Sequence, residues 1–174
     1  MKNFNEKEGN EILEEIRKKG RNIQFCVLGA GNGGMAMAAH LSIMGFKVNL
    51  YNRSPKRLKG VKWHGGIQLS GEISGFGKIE IATSDIDEAI GNTDILMVVL
   101  PATGHRFIAE QCAPYLKDGQ IIILNPGRTG GALEFRKALI DCKTDKRIFL
   151  GETQTFIYAS RSVSFASAHI FRIK

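Results

Sequence analysis

Short apolar runs alternate with segments of helical character through most of the chain. The runs are brief and partly β-branched, which is typical of buried strands. They span residues 23–28, 46–51, 94–100, 120–124 and 147–150. The segments between them carry helix formers or apolar side chains at helical spacing, as in residues 131–142. This alternation predicts a Rossmann-type, doubly wound α/β fold, with a mostly parallel sheet and helices on both faces.

Three segments do not follow the alternation. Residues 10–19 predict a short helix that is capped by Asn10 and carries its acidic residues early and its basic residues late. Residues 67–83 hold short alternating pieces between glycines, which predict small strands or a hairpin inserted into the fold. Residues 162–174 alternate and predict one further strand, where the sequence ends without a turn or a cap.

The turn after the first predicted strand carries the motif G-x-G-x-x-G, with Gly29, Gly31 and Gly34 as its glycines. Between a strand and a helix, these glycines allow a tight turn, close approach to a pyrophosphate, and close packing of the helix. The start of the helix adds free N–H groups and a positive dipole end. We therefore predict that a dinucleotide pyrophosphate lies against these glycines. The alternative is a glycine turn that only packs a helix on a sheet.

The end of the second predicted strand favours NADP(H), with NAD(H) possible. NAD-selective sites usually have Asp or Glu there, bound to the ribose 2′-hydroxyl, whereas this chain has Asn52. Arg53, Ser54 and Arg57 follow, and a guanidinium suits a 2′-phosphate. We expect these four residues to bind the adenosine end of the cofactor. The alternative is that the arginines stack on adenine or lie in solvent.

Two other loops follow buried strands and contain glycine and proline. They are residues 100–105 and 125–129. In doubly wound sheets the ligand lies outside the carboxyl ends of the strands, so we expect both loops to converge with the glycine turn. We divide the chain into an N-terminal helical extension, residues 1–21, and a dinucleotide-binding domain, residues 22–174.

Composition and charge narrow the class of protein. The 174 residues are 43% hydrophobic and 24% charged, and no apolar run approaches the roughly 20 residues of a membrane span. The net charge is +7, but the basic residues concentrate at 17–21 and 53–62 without interleaved aromatics. The second cluster adjoins the predicted nucleotide site, which favours a small anionic ligand over nucleic acid.

Cysteine usage points to a reducing compartment. Cys26, Cys112 and Cys142 are widely spaced in apolar surroundings, with an odd count and no C-x-x-C. We therefore predict reduced, buried thiols in a cytoplasmic protein, without a disulfide or a zinc site. His64 has no second metal-type residue at a suitable spacing, so no metal site is predicted.

Three segments together resemble the opine dehydrogenases, the octopine/nopaline dehydrogenase family. They read GAGNGGMAMAAHLSIMGFKVNLYNRS, DILMVVLPATGHRFIAEQCAPYLKDGQIIILNPGRTGGALEFRKAL and GETQTFIYASR. The resemblance covers about residues 22–174, and the pattern is more distantly similar to glycerol-3-phosphate and 6-phosphogluconate dehydrogenases. It implies an N-terminal NAD(P)-binding domain of an oxidoreductase that joins an amino acid to a 2-oxo acid through an imine and reduces that imine.

In that family a C-terminal, mostly helical domain supplies a histidine–aspartate pair for proton transfer. This sequence stops before such a domain, so the resemblance leaves the catalytic residues unknown and implies that the fragment alone is inactive. Neither His105 nor His169 is assigned the role. The family pattern would place Asn32 and Gly33, with the three motif glycines, at the pyrophosphate. It would place six residues along the ribose and nicotinamide: Leu100, Pro101, His105, Asn125, Pro126 and Gly127.

The same pattern would turn Thr153 and Gln154 towards the substrate cleft.

Two other functions remain open at this point. One is a non-catalytic nucleotide-sensing module, since a fold does not fix a function. The other is an oxidoreductase like the glycerol-3-phosphate or 6-phosphogluconate dehydrogenases. A flavoprotein is a weaker possibility, because Asn52 and Arg53 stand where an acidic residue usually holds the adenine ribose.

Overall fold

The computed structural model describes residues 5–174, which form two sheets and six α-helices. The strands are β1 (Gln24–Leu28), β2 (Lys47–Tyr51), β3 (Gly66–Gly71), β4 (Gly75–Lys78), β5 (Ile81–Thr83), β6 (Ile95–Val98), β7 (Ile121–Leu124), β8 (Phe149–Glu152), β9 (Tyr158–Ser164) and β10 (Ser167–Ile173). The helices are α1 (Glu6–Lys19), α2 (Asn32–Ile43), α3 (Lys59–His64), α4 (Ile86–Ile90), α5 (His105–Cys112) and α6 (Gly131–Asp141).

The main sheet has six strands in the order β5-β2-β1-β6-β7-β8, and every neighbouring pair is parallel. The strand order reverses between β1 and β6, as in a doubly wound fold. Helices α4, α5 and α6 contribute to the core on one face, where Leu96 and Ile122 pack with Ile108, Phe135 and Leu139. The predicted fold class is therefore confirmed.

Helix α2 lies on the other face, between the main sheet and a second sheet. The second sheet has the order β4-β3-β10-β9. Ala36 belongs to a core shared with Val27 and Val48 of the main sheet and with Leu69 and Ile170 of the second. A helix that is buried on most sides carries apolar residues all round, which explains the alanine-rich sequence of α2.

The second sheet corrects two sequence-based expectations. The predicted hairpin in residues 67–83 is present as β3 and β4, but the last piece, β5, joins the main sheet instead. Residues 162–174 are not one strand, because β9 and β10 form an antiparallel pair and β10 also pairs in parallel with β3. The two short hairpins thereby make one sheet that is long enough to cover α2.

The first helix begins earlier than predicted. Its cap is Asn5, not Asn10: the Asn5 side chain accepts from the Glu8 N–H at 2.9 Å, and the Glu8 carboxylate accepts from the Asn5 N–H at 3.1 Å. This reciprocal pair is a capping box. Helix α1 contacts the amino-terminal edge of the sheet through an ion pair between Lys19 and Asp94. Residues 1–4 of the predicted extension lie outside the described residues.

Cys26 and Cys112 are buried as expected, and burial raises the pKa of both thiols. Cys142 is exposed, which corrects the prediction for that residue, because it lies just past the last turn of α6. Within residues 5–174 no helix is long and apolar enough to cross a membrane. In the same range, no group of three or more His, Cys, Asp or Glu side chains could hold a metal ion.

Close packing between α2 and the second sheet gives the first testable prediction. A Cβ at Gly77 of β4 would lie 2.5 Å from the Cα of Ala39 in α2, so Gly77→Ala overpacks the contact. We expect Gly77→Ala to lower the free energy of unfolding by about 1–3 kcal/mol in chemical denaturation.

The matched control is Gly151→Ala in β8, where an added Cβ would meet no atom within 4 Å. There, loss of unfolded-state freedom should leave stability unchanged or raise it by about 0.5–1 kcal/mol. Equal stabilities of the two variants would contradict the packing of the second sheet on α2.

Candidate dinucleotide-binding site

The glycine turn joins β1 to α2 at the carboxyl edge of the main sheet, where the strand order reverses. The Gly29 N–H donates to the Tyr51 carbonyl at 2.9 Å, and the φ of Gly29 is 120°, in the region that favours glycine. A Cβ at Gly29 would lie 2.5 Å from the Val99 carbonyl oxygen. The turn therefore fits between the ends of β2 and β6 only without a side chain here.

The other two motif glycines have different surroundings. A Cβ at Gly34 would overlap the carbonyl oxygen of Gly29, so its absence lets α2 pack directly on the turn. A Cβ at Gly31 would meet no atom within 4 Å, and the φ of Gly31, −84°, is accessible to any residue. Open space thus lies before the first turn of α2, which no described side chain caps. A phosphate fits such a helix start.

The side chain of Asn32 is engaged within the protein. Its Oδ1 accepts from the Ser162 N–H of β9 at 3.0 Å, and its backbone carbonyl accepts from Ser160 Oγ at 3.3 Å. A Cβ at Gly33 would lie 2.6 Å from the ring of Phe156, which covers the turn from the same side. The side-chain oxygen of Asn32 is thus directed to β9 and not to the space before α2.

A cleft of about 390 Å³ lies at the end of β2, beside the glycine turn. It brings together seven of the predicted residues: Gly29, Asn52, Arg53, Ser54, Arg57, Leu100 and Pro101. Five other residues line it that the sequence analysis did not name singly: Tyr51, Thr103, Gly104, Phe107 and Ile108. The Arg53 guanidinium carbon lies 5.2 Å from the centre of the Phe107 ring, as in a cation–π contact.

Asn52 uses both ends of its amide on protein groups. Its Oδ1 accepts from the Ala30 N–H at 3.0 Å, and its Nδ2 donates to the Ser54 carbonyl at 3.0 Å. Its backbone N–H donates to the Thr83 carbonyl of β5 at 3.2 Å. Arg53, Ser54 and Arg57, in contrast, are exposed. The cleft therefore presents cationic side chains next to a fixed polar turn.

His105 opens α5 and is 1% exposed. Burial lowers the pKa of its imidazole, against smaller opposing effects of a hydrogen bond with the Leu100 backbone and of the Glu152 charge. Its Nε2 has no hydrogen-bond partner among the described residues. A lowered pKa keeps this side chain neutral near pH 7.

The loop after β7 is held against the end of β8. The Asn125 N–H donates to the Val98 carbonyl at 2.7 Å, and the Asn125–Pro126 peptide bond is cis. The Gly127 N–H donates to the Thr153 carbonyl at 3.1 Å. Thr153 Oγ1 donates to the Leu124 carbonyl at 3.2 Å, whereas Gln154 is exposed.

Glu152 completes this end of the site and was missed by sequence reasoning. Its carboxylate accepts from the Ala132 N–H at 2.7 Å, at the start of α6. A Cβ at Gly131 would lie 3.2 Å from both the Glu152 carboxylate and His105 Nδ1, and a Cβ at Gly127 would overlap the Glu152 side chain. The available signal was an acidic residue at the end of a predicted strand, at the same edge as the glycine loops.

A second groove, of about 320 Å³, lies at the opposite edge of the sheet, between α1 and the loops that precede β6 and β7. None of the three glycine-containing loops reaches it. We therefore assign the candidate site to the carboxyl edge alone.

The chain is similar to several known proteins. A family model described as the NAD-dependent glycerol-3-phosphate dehydrogenase N-terminus matches residues 24–127. The opine dehydrogenase of Arthrobacter sp. (strain 1C) is 40% identical over 139 residues, which are 79% of this chain and 38% of that protein. This chain thus spans about two fifths of the length of that relative.

Two solved structures share the fold. Octopine dehydrogenase with NADH and pyruvate superposes with a TM-score of 0.78 at 21% identity, over 88% of this chain and 41% of that one. Yersinopine dehydrogenase with bound NADP⁺ gives 0.69 at 18% identity, over 88% and 40% of the two chains. The family match covers more than half of the chain, and the sequence-based resemblance is confirmed. The chain therefore belongs to the family of the NAD-dependent glycerol-3-phosphate dehydrogenase N-terminus and is an opine dehydrogenase homologue with an NAD(P)-binding domain.

Proposed function

We propose that this chain is the NAD(P)-binding part of an opine dehydrogenase-like enzyme, which condenses an amino acid with a 2-oxo acid and reduces the imine. The observation that carries the proposal is the glycine turn, where Gly31 leaves open space before an uncapped helix start. The 40% identity to an opine dehydrogenase supports the reaction class. Pyruvate, the ligand of octopine dehydrogenase, is a 2-oxo acid of the expected kind.

The residues of the site fit a nicotinamide dinucleotide. The backbone of residues 29–34 would hold the pyrophosphate, and Arg53, Ser54 and Arg57 would hold the 2′-phosphate of NADP(H). The ribose and nicotinamide would lie along the predicted set on the next two loops: Leu100, Pro101, His105, Asn125, Pro126 and Gly127. The cofactor supplies the hydride, and the protein supplies its orientation.

The electrostatics of the nicotinamide end support this assignment. His105 is buried with a lowered pKa, so it would add no positive charge beside the cationic ring of the oxidised cofactor. Thr153 and Gln154, at the end of β8, would face the substrates. The fixed backbone of Thr153 and the exposed side chain of Gln154 suit such a position.

A second candidate is a glycerol-3-phosphate dehydrogenase-like oxidoreductase, which the family match favours. The two candidates differ in substrate, because one reduces an imine and the other reduces the ketone of dihydroxyacetone phosphate. A longer chain that covers the full length of the relatives separates them when it is assayed with NADPH and either substrate set. Oxidation of NADPH with dihydroxyacetone phosphate, and not with any amino acid and 2-oxo acid, would overturn the proposed opine dehydrogenase activity.

Substitutions at Gly31 and Gly34 should have different effects, one on cofactor binding and the other on stability. We expect Gly31→Val to leave the thermal midpoint nearly unchanged, because its side chain enters open space, and to abolish NADPH binding in calorimetry, because that space receives the pyrophosphate. Gly34→Ala should lower the thermal midpoint sharply, because its Cβ overlaps the Gly29 carbonyl. Normal NADPH affinity in Gly31→Val would contradict the site.

Cofactor selectivity is the next prediction. An exposed cation–π contact with Phe107 stabilises Arg53 by about 0.5–1 kcal/mol, whereas a charge-assisted hydrogen bond contributes about 1.5–3 kcal/mol. The Arg53 guanidinium should therefore bind a 2′-phosphate in preference to the Phe107 ring. We expect Arg53→Ala to weaken NADPH about ten- to hundredfold and NADH less than twofold.

The control for this experiment is Lys59→Ala, which removes a nearby cation outside the residues that line the cleft. It should leave both dissociation constants unchanged. Equal affinity of the starting protein for NADPH and NADH, or equal weakening of both by Arg53→Ala, would refute the 2′-phosphate assignment.

Turnover by residues 1–174 alone is the last prediction of this section. A positioned proton donor contributes about 10²–10⁴ in rate, and the buried, neutral His105 is not such a donor. We expect the chain to bind NADPH without oxidising it, in the presence of panels of amino acids and 2-oxo acids. Steady NADPH oxidation above the blank would show that the chain carries its own catalytic groups.

A further inference from the structure

We propose that Asn52 is a positioning residue that holds the glycine turn in its ligand-binding conformation. This inference rests on the proposed function, in which that turn receives the pyrophosphate. The residue stands where many nucleotide sites carry a side chain that contacts the ribose. Here its amide is instead committed to the protein, through Ala30 on one side and Ser54 on the other.

The bond to Ala30 acts on the centre of the motif. Ala30 lies between Gly29 and Gly31 and is 2% exposed. Its N–H donates to Asn52 Oδ1 at 3.0 Å, and leaving a buried donor without a partner is costly. Without this acceptor, the turn would satisfy the N–H by rotating the peptide. That rotation would misdirect the neighbouring backbone at Gly31.

The bond to Ser54 joins the same amide to the basic segment. The Ser54 carbonyl accepts from Asn52 Nδ2 at 3.0 Å and from the Arg57 N–H at 3.2 Å. One side chain therefore connects the turn that faces the pyrophosphate with the segment that carries Arg53 and Arg57. Loss of Asn52 should therefore weaken both cofactors through the turn, and NADPH further through the basic segment.

Aspartate is the informative replacement at this position. A carboxylate keeps an acceptor for the Ala30 N–H but has no donor for the Ser54 carbonyl. It also places a negative charge where a 2′-phosphate would lie. Asn52→Asp should therefore retain NADH within about twofold and weaken NADPH at least tenfold. Asn52→Ala removes the acceptor as well and should weaken both cofactors, NADH about tenfold and NADPH at least as much.

The control is Asn49→Ala, on the same strand. Asn49 is buried, and its Nδ2 donates to the Ala89 carbonyl at 2.9 Å, on α4. Its removal tests whether any loss of a buried amide from β2 weakens cofactor binding. We expect Asn49→Ala to lower the thermal midpoint and to leave both dissociation constants unchanged.

The experiment has two readouts on the starting protein, Asn52→Ala, Asn52→Asp and Asn49→Ala. Calorimetry gives the dissociation constants for NADPH and NADH. Amide hydrogen exchange, followed by NMR without cofactor, gives the protection of the Ala30 N–H. We expect Ala30 to be protected in the starting protein, in Asn52→Asp and in Asn49→Ala, and to exchange at least tenfold faster in Asn52→Ala.

Two results would overturn the inference. One is an Ala30 amide that stays protected in Asn52→Ala, which would show that the turn does not need the side chain. The other is a loss of affinity in Asn52→Ala for one cofactor only, which would make Asn52 a direct reader of the ribose. If the starting protein binds neither cofactor, the proposed function fails. The exchange measurement still tests whether the Asn52 side chain fixes the conformation of the glycine turn.

Discussion

Helix α2 can begin directly behind β1 because no side chain stands between Gly34 and the Gly29 carbonyl. This close approach fixes the helix on the main sheet and aims its free N–H groups at the carboxyl edge. Since α2 is also covered by the second sheet, its position determines where that sheet lies. The cofactor site and the outer layer of the fold thus depend on the same contact.

The candidate site has an uneven distribution of charge. At the adenosine end, Arg53 and Arg57 are exposed and the nearby amide of Asn52 brings no negative charge. At the other end, the carboxylate of Glu152 is bound to the start of α6, and burial keeps His105 neutral. In the proposed complex, an anionic adenosine phosphate would be attracted to the arginines, while a cationic nicotinamide would meet no opposing cation from His105.

The sequence predicted the parts whose signals are local. A buried strand, the G-x-G-x-x-G turn and the helix after it lie within about 25 residues, so pattern and spacing sufficed for the main sheet and the glycine turn. The second sheet could not be predicted in this way, because β10 pairs with β3 across about a hundred residues of sequence. The start of α1 was misplaced because Asn5 and Asn10 are both plausible caps, although Glu8 three residues after Asn5 completes a capping box.

Within the site, the sequence predicted where residues lie better than it predicted what their side chains bind. Asn32 and Asn52 both lie beside the turn, yet the amide oxygen of each accepts from a backbone N–H of the protein, that of Ser162 for Asn32 and that of Ala30 for Asn52. Hydrogen-bond partners such as Ser162 are remote in sequence, and nothing in the motif specifies them. For Glu152 the sequence shows an acidic residue at the end of a predicted strand, but its contact with the start of α6 exists only in the folded chain.

The segment after β8 connects the loop after β7 with the glycine turn. It starts at Thr153, whose carbonyl holds the loop after β7, and within three residues it reaches Phe156, whose ring covers Gly33. Phe156 packs edge-on against Tyr158, and the Tyr158 hydroxyl lies 2.7 Å from His40 Nδ1 on α2. Burial lowers the pKa of His40 and raises the pKa of Tyr158 to about 12, so this contact is uncharged near pH 7. A displacement of α2 or of the glycine turn would therefore be transmitted along a short, packed segment to the edge where Thr153 lies. Because packed contacts of this kind deform little, we expect the edge at Thr153 and the glycine turn to move as one unit.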